Sequence, residues 1–555
     1  METKLEPKSG NRIALKACDF CRARKCQCIF ENVDDPSCQK CIRSNVQCTF
    51  LKGHKVRGPK AARLPTELPL PLANITVDQF CSSEMLVRLL SDYHDFVFPL
   101  FPLVHWPSFQ SLVDDQAWNT DGAFLRFCLS LCALTVASIP SNIETYGGER
   151  YHDVRSMVDR ASDLVIISRL QSDPHWHDQP TLQAILESTL LSMALHYCGR
   201  PQRGWSFANE AIVALRELKL YCAEGYARLS PMEGELAKRA FWLLYIIQVH
   251  DRLTSVVPHT VLSFLPAHTD WLRILPLAVS DDELSSASLK DDGNGSGNSA
   301  NDGRILMIGF VGLIKIFVCL WDLVSGEGTN PILGPYPFRH VMPPSHQQPF
   351  PTDKVMVEDD KTSNRAAMSS LTIVLQVMRR MNQTIIDLPP ELQFPAQERQ
   401  HIASPSDHQF DIMRTTLHIT SIYLQSTVLE ICLSSQAPRL SKEIGSPSYS
   451  QPANQYPADA ANRSTQALFT APDMLKLRET IAEELLRILR YTSVYTLERN
   501  GLSLMHQIRK VAATLLDRED GREILSDMGE RSRLYLRQFA EILANLDHSF
   551  SLTVS

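Results

Sequence analysis

The sequence predicts a mostly α-helical protein: a small two-helix, cysteine-rich head and a large all-α regulatory body, with disordered linkers. Three observations predict it. Seven of the 14 cysteines lie between Cys18 and Cys48, six of them in two copies of one spacing. From about residue 78, apolar residues recur at helical intervals in long runs, and strand-like alternation is scarce. The charge is also divided. Residues 1–65 carry 14 Lys and Arg against 6 Asp and Glu, and the remainder carries 41 against 56, within a total of −7. A basic head on an acidic body suggests that the head meets a polyanion and the body something else.

At 555 residues, with 44% apolar and 21% charged residues, the chain has ordinary globular composition and is too long for one domain. The opening METKLEPKSG lacks an apolar signal core. A secreted disulfide scaffold is therefore not expected, and a reducing compartment favours thiolates on metal. The segment Ile305 to Leu320 is short for a membrane span and holds Lys315, so it reads as a core helix with no membrane partner.

In chain order, residues 1–16 are polar and read as disordered, and residues 17–50 hold the cysteine unit. Residues 51–77 read as a linker, basic at first (Lys52, Lys55, Arg57, Lys60) and then proline-rich. Helical runs are expected at 78–98, 123–139, 151–170, 180–198, 205–221, 234–253 and 304–325. Others follow at 364–387, 408–434, 473–497 and 502–546. The stretch 280–303 reads as a low-complexity loop, as does 436–466. A boundary falls at 340, so that 341–555 forms a C-terminal helical regulatory and activation region. Within it FAEILANLDHSF (539–550) has the acidic, apolar make-up of an activation segment, although a surface helix fits it better.

The cysteine spacing is Cys18-x2-Cys21-x6-Cys28-x9-Cys38-x2-Cys41-x6-Cys48. A CxxC pair at a helix start puts two sulfurs on one side of a short turn, where both reach one tetrahedral zinc. Six thiolates cannot fill two separate four-ligand sites, but they can if two sulfurs bridge both metals. Such a set carries a net −2, which Arg22, Arg24, Lys25, Lys40 and Arg43 would offset.

This spacing, with CRARK between the second and third ligands, resembles the fungal binuclear zinc-cluster family. The resemblance implies two Zn2+ ions held by Cys18, Cys21, Cys28, Cys38, Cys41 and Cys48, with Cys18 and Cys38 bridging. It implies that Arg24 and Lys25, at the end of the first helix, enter the major groove of CGG-type sites. Arg22, Lys40 and Arg43 would contact phosphate. Gln27 departs from the lysine common in the family, and Cys26 is an extra cysteine that reads as filler. Behind the cluster, Lys52, Lys55, Arg57 and Lys60 could follow phosphates or serve nuclear import. Pro59, Pro65, Pro69 and Pro71 leave no heptads there, so a homodimer would form without a coiled coil.

In the body, YHDFVFPLFPLVHWPSF (93–109), GWSFANEAIVALRELKLY (204–221) and SPMEGELAKRAFWLLYIIQVHDRLTS (230–255) resemble the fungal-specific transcription factor domain, over roughly 78–340. Enzyme motifs are lacking. Gly293 to Gly297 has no Lys-Ser/Thr after it, and His175-Trp-His177-Asp178 lacks further metal ligands. The expectation is a nuclear, DNA-binding RNA polymerase II transcription factor that is not an enzyme and recruits coactivators. A secondary-metabolite gene cluster is the first reading of its pathway, and carbon or nitrogen catabolism the alternative. A helical scaffold or enzyme with a structural zinc module is the lesser rival.

Overall fold

The computed structural model describes residues 12–13, 17–31, 35–51, 75–254, 269, 271, 273–288, 298–320, 329–330, 334–335, 360–394, 407–443, 471–499, 501–516 and 526–551. The chain divides into two compact units, Met1–Ala73 and Asn74–Ser555. The fold is mostly α, as the apolar periodicity requires, and strands among the described residues are short pairs.

The first unit contains helices α1 (Asp19–Ala23) and α2 (Gln39–Arg43) and an antiparallel pair, β1 (Arg12–Ile13) and β2 (Ile29–Phe30). Arg12 and Ile13 belong to the stretch expected to be disordered. They pair with Phe30 and Ile29 instead, Ile13 in register with Ile29, and β-branched residues favour strands. The basic linker cations Lys52, Lys55, Arg57 and Lys60 lie outside the described residues.

The second unit runs α3 (Ser83–Asp92), α4 (Trp106–Asp114), α5 (Gly122–Ser138), α6 (Ile143–Gly147), α7 (Val154–Ser172), α8 (Leu182–Tyr197), α9 (Pro201–Glu217), α10 (Ala223–Tyr226) and α11 (Pro231–Thr254). It continues with α12 (Asp281–Ser288), α13 (Asn298–Val318), α14 (Asp360–Ile386), α15 (Asp407–Glu443), α16 (Ala471–Tyr491), α17 (Val494–Arg499), α18 (Gly501–Ala513) and α19 (Ser526–Ser551). Each expected helical run holds at least one helix; the run 502–546 holds two, α18 and α19, with 517–525 outside the described residues. The run 473–497 is broken at Ser493, whose hydroxyl accepts the Thr496 amide at 3.0 Å and starts a new helix. Helix α4 was not expected; Pro107 sits in its first turn, where a missing N–H costs nothing.

Two expected loops shorten. The stretch 280–303 begins with α12, because Ser280 and Glu283 form a reciprocal cap: the Ser280 amide donates to Glu283 Oε2 at 2.8 Å and the Glu283 amide to Ser280 Oγ at 3.1 Å. In the stretch 436–466, α15 continues through Pro438 to Glu443; residues 444–466 lie outside the described residues. The boundary at 340 is crossed by one core. Helix α15 packs on α13, and α18 on α5 and α8, so apolar faces from both sides of 340 bury one another.

Helix α5 explains the layering. Thirteen of its residues, from Phe124 to Ser138, are buried, and it lies between α7 and α8. A helix apolar all round has no solvent face. Two of its hydroxyls are satisfied locally, Ser130 and Thr135 donating to carbonyls one turn back. Arg239 on α11 is wholly buried, donating to the Pro102 carbonyl at 3.1 Å and pairing with Asp281 at 3.4 Å. The other Asp281 oxygen accepts the Trp106 amide at 2.8 Å. The first residue of α12 thus ties α4 and α11 together.

His418 on α15 gives the body a pH dependence. Its Nε2 donates to the buried Leu392 carbonyl at 3.1 Å. Burial, with Arg487 and Arg414 nearby, holds it at about 4. The unfolded chain therefore takes up this proton first, near the ordinary 6.5. Its contribution is complete above pH 6.5 and is lost as pH falls toward 4, by about 3 kcal/mol in all. Urea titrations between those limits should show this loss, and His418→Gln should flatten it.

Candidate metal centre

The first unit is built twice, with an offset of 20 residues. Cys18 and Cys38 each occupy the N-cap of a five-residue helix, and Cys21 and Cys41 lie inside the helices. Each helix closes with the same backbone bonds. Lys25 N donates to Arg22 O and Cys26 N to Cys21 O; Asn45 N donates to Ile42 O and Val46 N to Cys41 O. This is a Schellman ending, and it puts Lys25 (φ 51°) and Asn45 (φ 48°) in the left-handed region. The chain then turns back to deliver Cys28 and Cys48.

The six sulfurs gather into two quartets, Cys18–Cys21–Cys28–Cys38 and Cys18–Cys38–Cys41–Cys48, with ligand atoms within 4.8 Å of one another. Cys18 and Cys38 belong to both, their sulfurs 3.8 Å apart. All are free cysteines, and all but half-buried Cys48 are buried. A donor set of four sulfurs per site, two of them shared, fits two tetrahedral zinc ions.

The shared pair also differs electrostatically. Burial pushes both thiols up, but the Cys21 and Cys41 amides and the neighbouring thiols outweigh it. Cys18 ends below its ordinary value and Cys38 at about 6. Cys21, Cys41 and Cys48 are pushed up, chiefly by burial, and Cys28 reaches about 11. Cys26 belongs to neither quartet, and its sulfur lies 3.6 Å from the Cys21 carbonyl.

The cations differ between the two halves of the repeat, since α2 carries Lys40 and Arg43 where α1 has Phe20 and Ala23. Arg22, Arg24 and Lys25 at the end of α1 correspond to Ile42, Ser44 and Asn45 at the end of α2. Arg24 lies over the Phe20 ring at 4.7 Å, and Arg22 pairs with Asp19 at 3.1 Å. Lys25, Lys40 and Arg43 are exposed. Sequence reasoning missed Asp19. Its second oxygen accepts the Thr49 hydroxyl at 3.0 Å and the Leu51 amide at 2.8 Å, which fastens the outgoing chain to the start of α1. An acid one residue after the first ligand was the available signal. The His175–Asp178 stretch joins no metal-holding group among the described residues; Trp176 instead lies under the Arg169 guanidinium at 4.7 Å.

Two thiolate quartets sharing two sulfurs, framed by two capped helices, define a binuclear metal–thiolate domain. Residues 16–57 match the fungal Zn(2)-Cys(6) binuclear cluster domain, and the chain is one of the proteins that carry it. Such a cluster binds two zinc ions. Beyond the cluster, the chain is similar to maltose fermentation regulatory proteins of Saccharomyces cerevisiae. It is 24% identical to MAL33 over 329 residues and 22% identical to MAL13 over 332, in each case 57% of this chain and 62% of the relative. It is 26% identical to MAL63 over 156 residues, 25% of this chain and 32% of the relative. The chain thus spans about three fifths of the length of the first two relatives, and both matches reach well beyond the cluster. No solved structure matches it significantly.

Proposed function

We propose that the protein is a nuclear, sequence-specific DNA-binding regulator of RNA polymerase II transcription, acting on carbon-catabolism genes. In this reading Cys18, Cys21, Cys28, Cys38, Cys41 and Cys48 ligate two zinc ions, with Cys18 and Cys38 bridging. Arg24 and Lys25 read CGG-type sites in the major groove. Arg22, Lys40 and Arg43 engage phosphates, and Lys52, Lys55, Arg57 and Lys60 extend that contact along the backbone. The helical body recruits coactivators.

The observation that carries this reading is the unequal repeat. Two helix ends close with the same backbone bonds but carry their cations at different positions, Arg22, Arg24 and Lys25 on the first and Lys40 and Arg43 on the second. Metal binding needs the shared backbone; recognition of a polyanion needs the difference. The catabolic assignment rests on the relatives, which are named for maltose fermentation, and it displaces the first expectation of a secondary-metabolite cluster.

Lys25 allows a clean test. A lysine at positive φ costs about 1 kcal/mol relative to glycine. Lys25→Gly should therefore stabilise the zinc unit by about that amount and still weaken DNA binding by about 1–3 kcal/mol, with relaxed base preference. Mobility shifts of the zinc-loaded full chain on CGG and scrambled duplexes check this. Equal retention of the parent on both duplexes would sink the reading. Uniform weakening of the variant on both would move Lys25 to the phosphate contacts.

A further inference from the structure

The body holds an open pocket of about 960 Å3, where the first turn of α7, the end of α8, and helices α11, α13, α15 and α18 converge. A cavity of this size is in the range that holds a small ligand. Its apolar wall comes from residues such as Phe101, Leu243, Ile247, Leu313 and Phe317.

The polar lining is one-sided in charge. It includes Arg155 and Arg509 and four imidazoles, His152, His196, His250 and His506. The single carboxylate, Asp153, is already engaged, accepting the Ser156 amide at 2.7 Å as the cap of α7. The single amide, Gln507, takes the Thr420 hydroxyl at 3.2 Å. Arg155 is built into the rim. Its Nε donates to the Cys198 carbonyl at 3.4 Å, and a side chain at Gly199 (φ +75°) would come within 3.3 Å of its guanidinium. Glycine there supplies both the left-handed turn and the room for the arginine.

We propose that this cavity is a binding site for an amphipathic organic anion, a carboxylate with an apolar body, whose head pairs with Arg155 and Arg509 and whose tail lies against the Phe317 wall. Arginine at the rim favours a carboxylate through paired, charge-assisted hydrogen bonds. A neutral sugar would instead call for several acceptors; among the described lining residues one carboxylate and one amide are present, both with partners, and the remaining polar groups are guanidiniums, imidazoles and hydroxyls. His506 registers the same field: burial first, then the charges of Lys510, His250 and Arg509, hold its imidazole below its ordinary value.

The inference stands apart from the DNA-binding reading. Calorimetry of the zinc-loaded full chain with decanoate, decan-1-ol and maltose tests it. Decanoate is expected to bind at least tenfold more tightly than decan-1-ol, and maltose to give no binding heat. The double variant Arg155→Gln/Arg509→Gln changes exposed side chains, and its unliganded melting temperature verifies folding. It should lose decanoate binding at least tenfold and leave decan-1-ol unchanged. Lys25→Gly should bind decanoate as the parent does, whatever its effect on DNA. Equal affinity for acid and alcohol, no binding of decanoate, binding of maltose, or a double variant that still binds decanoate as the parent does would each overturn the proposal.

Discussion

Removing zinc with a chelator is expected to unfold the first unit and leave the second intact. The interior of the first unit is Cys18, Cys21, Cys28, Cys38 and Cys41, with Ala17, Phe20, Cys26, Phe30 and Cys48 packed around them. This is hardly an apolar core. Two five-residue helices cannot hold themselves, since isolated helices shorter than roughly 12–15 residues are marginal. Without metal the sulfurs have little reason to stay together. With it, structural zinc contributes on the order of 10–16 kcal/mol per ion in small peptides. Hydrogen exchange read by mass spectrometry should show peptides from 17–51 exchanging immediately after chelation, while those from 122–138 keep their protection. DNA retention should vanish in parallel. The shared sulfurs refine this expectation. Cys18→Ser strikes both quartets and Cys21→Ser only one, so the first should release more zinc per chain. Equal losses would argue against bridging.

The second large effect is expected at Arg169. Its guanidinium is 3% exposed and donates to Glu187 Oε2 at 2.7 Å and to Glu210 Oε1 at 2.6 Å, binding α7 to α8 and α9. Ser188 also donates to Glu210, and the Arg126 guanidinium lies 3.7 Å from Glu187. Arg169→Ala would leave Glu187, itself 1% exposed, with a buried charge and its main partner gone. That should cost about 3–5 kcal/mol. The pair as such is worth far less. Replacing both ends, as Arg169→Met with Glu187→Leu, should recover much of the loss, because neither charge then needs desolvating. Urea denaturation followed by helical signal checks both. A single variant within about 0.5 kcal/mol of the parent would mean that water or Arg126 already neutralises Glu187.

The helical body and the cysteine constellation were legible because each rests on a repeating pattern. Apolar spacing located the long helices but missed the early start of α13 and the late end of α15, and the 20-residue offset of the cysteines foreshadowed the two capped helices. What escaped was local or long-range. The cap pair Ser280–Glu283 lay in plain view as S-x-x-E but was masked by the polar, glycine-rich run that follows it. The Arg239–Asp281 tie joins residues 42 apart in sequence, and no periodicity marks such a pairing. The cavity rim draws on α7, α8 and α18, so its arginines and histidines look like ordinary surface residues until the helices converge.

The Asp19 carboxylate has one more consequence. By holding Thr49 and Leu51 at the start of α1, it makes the polypeptide leave the cluster from the end of that helix opposite to Lys25. The cluster is thus held like a rubber stamp by its handle: the backbone exit is pinned at one end of α1, while Lys25 at the other end stays exposed.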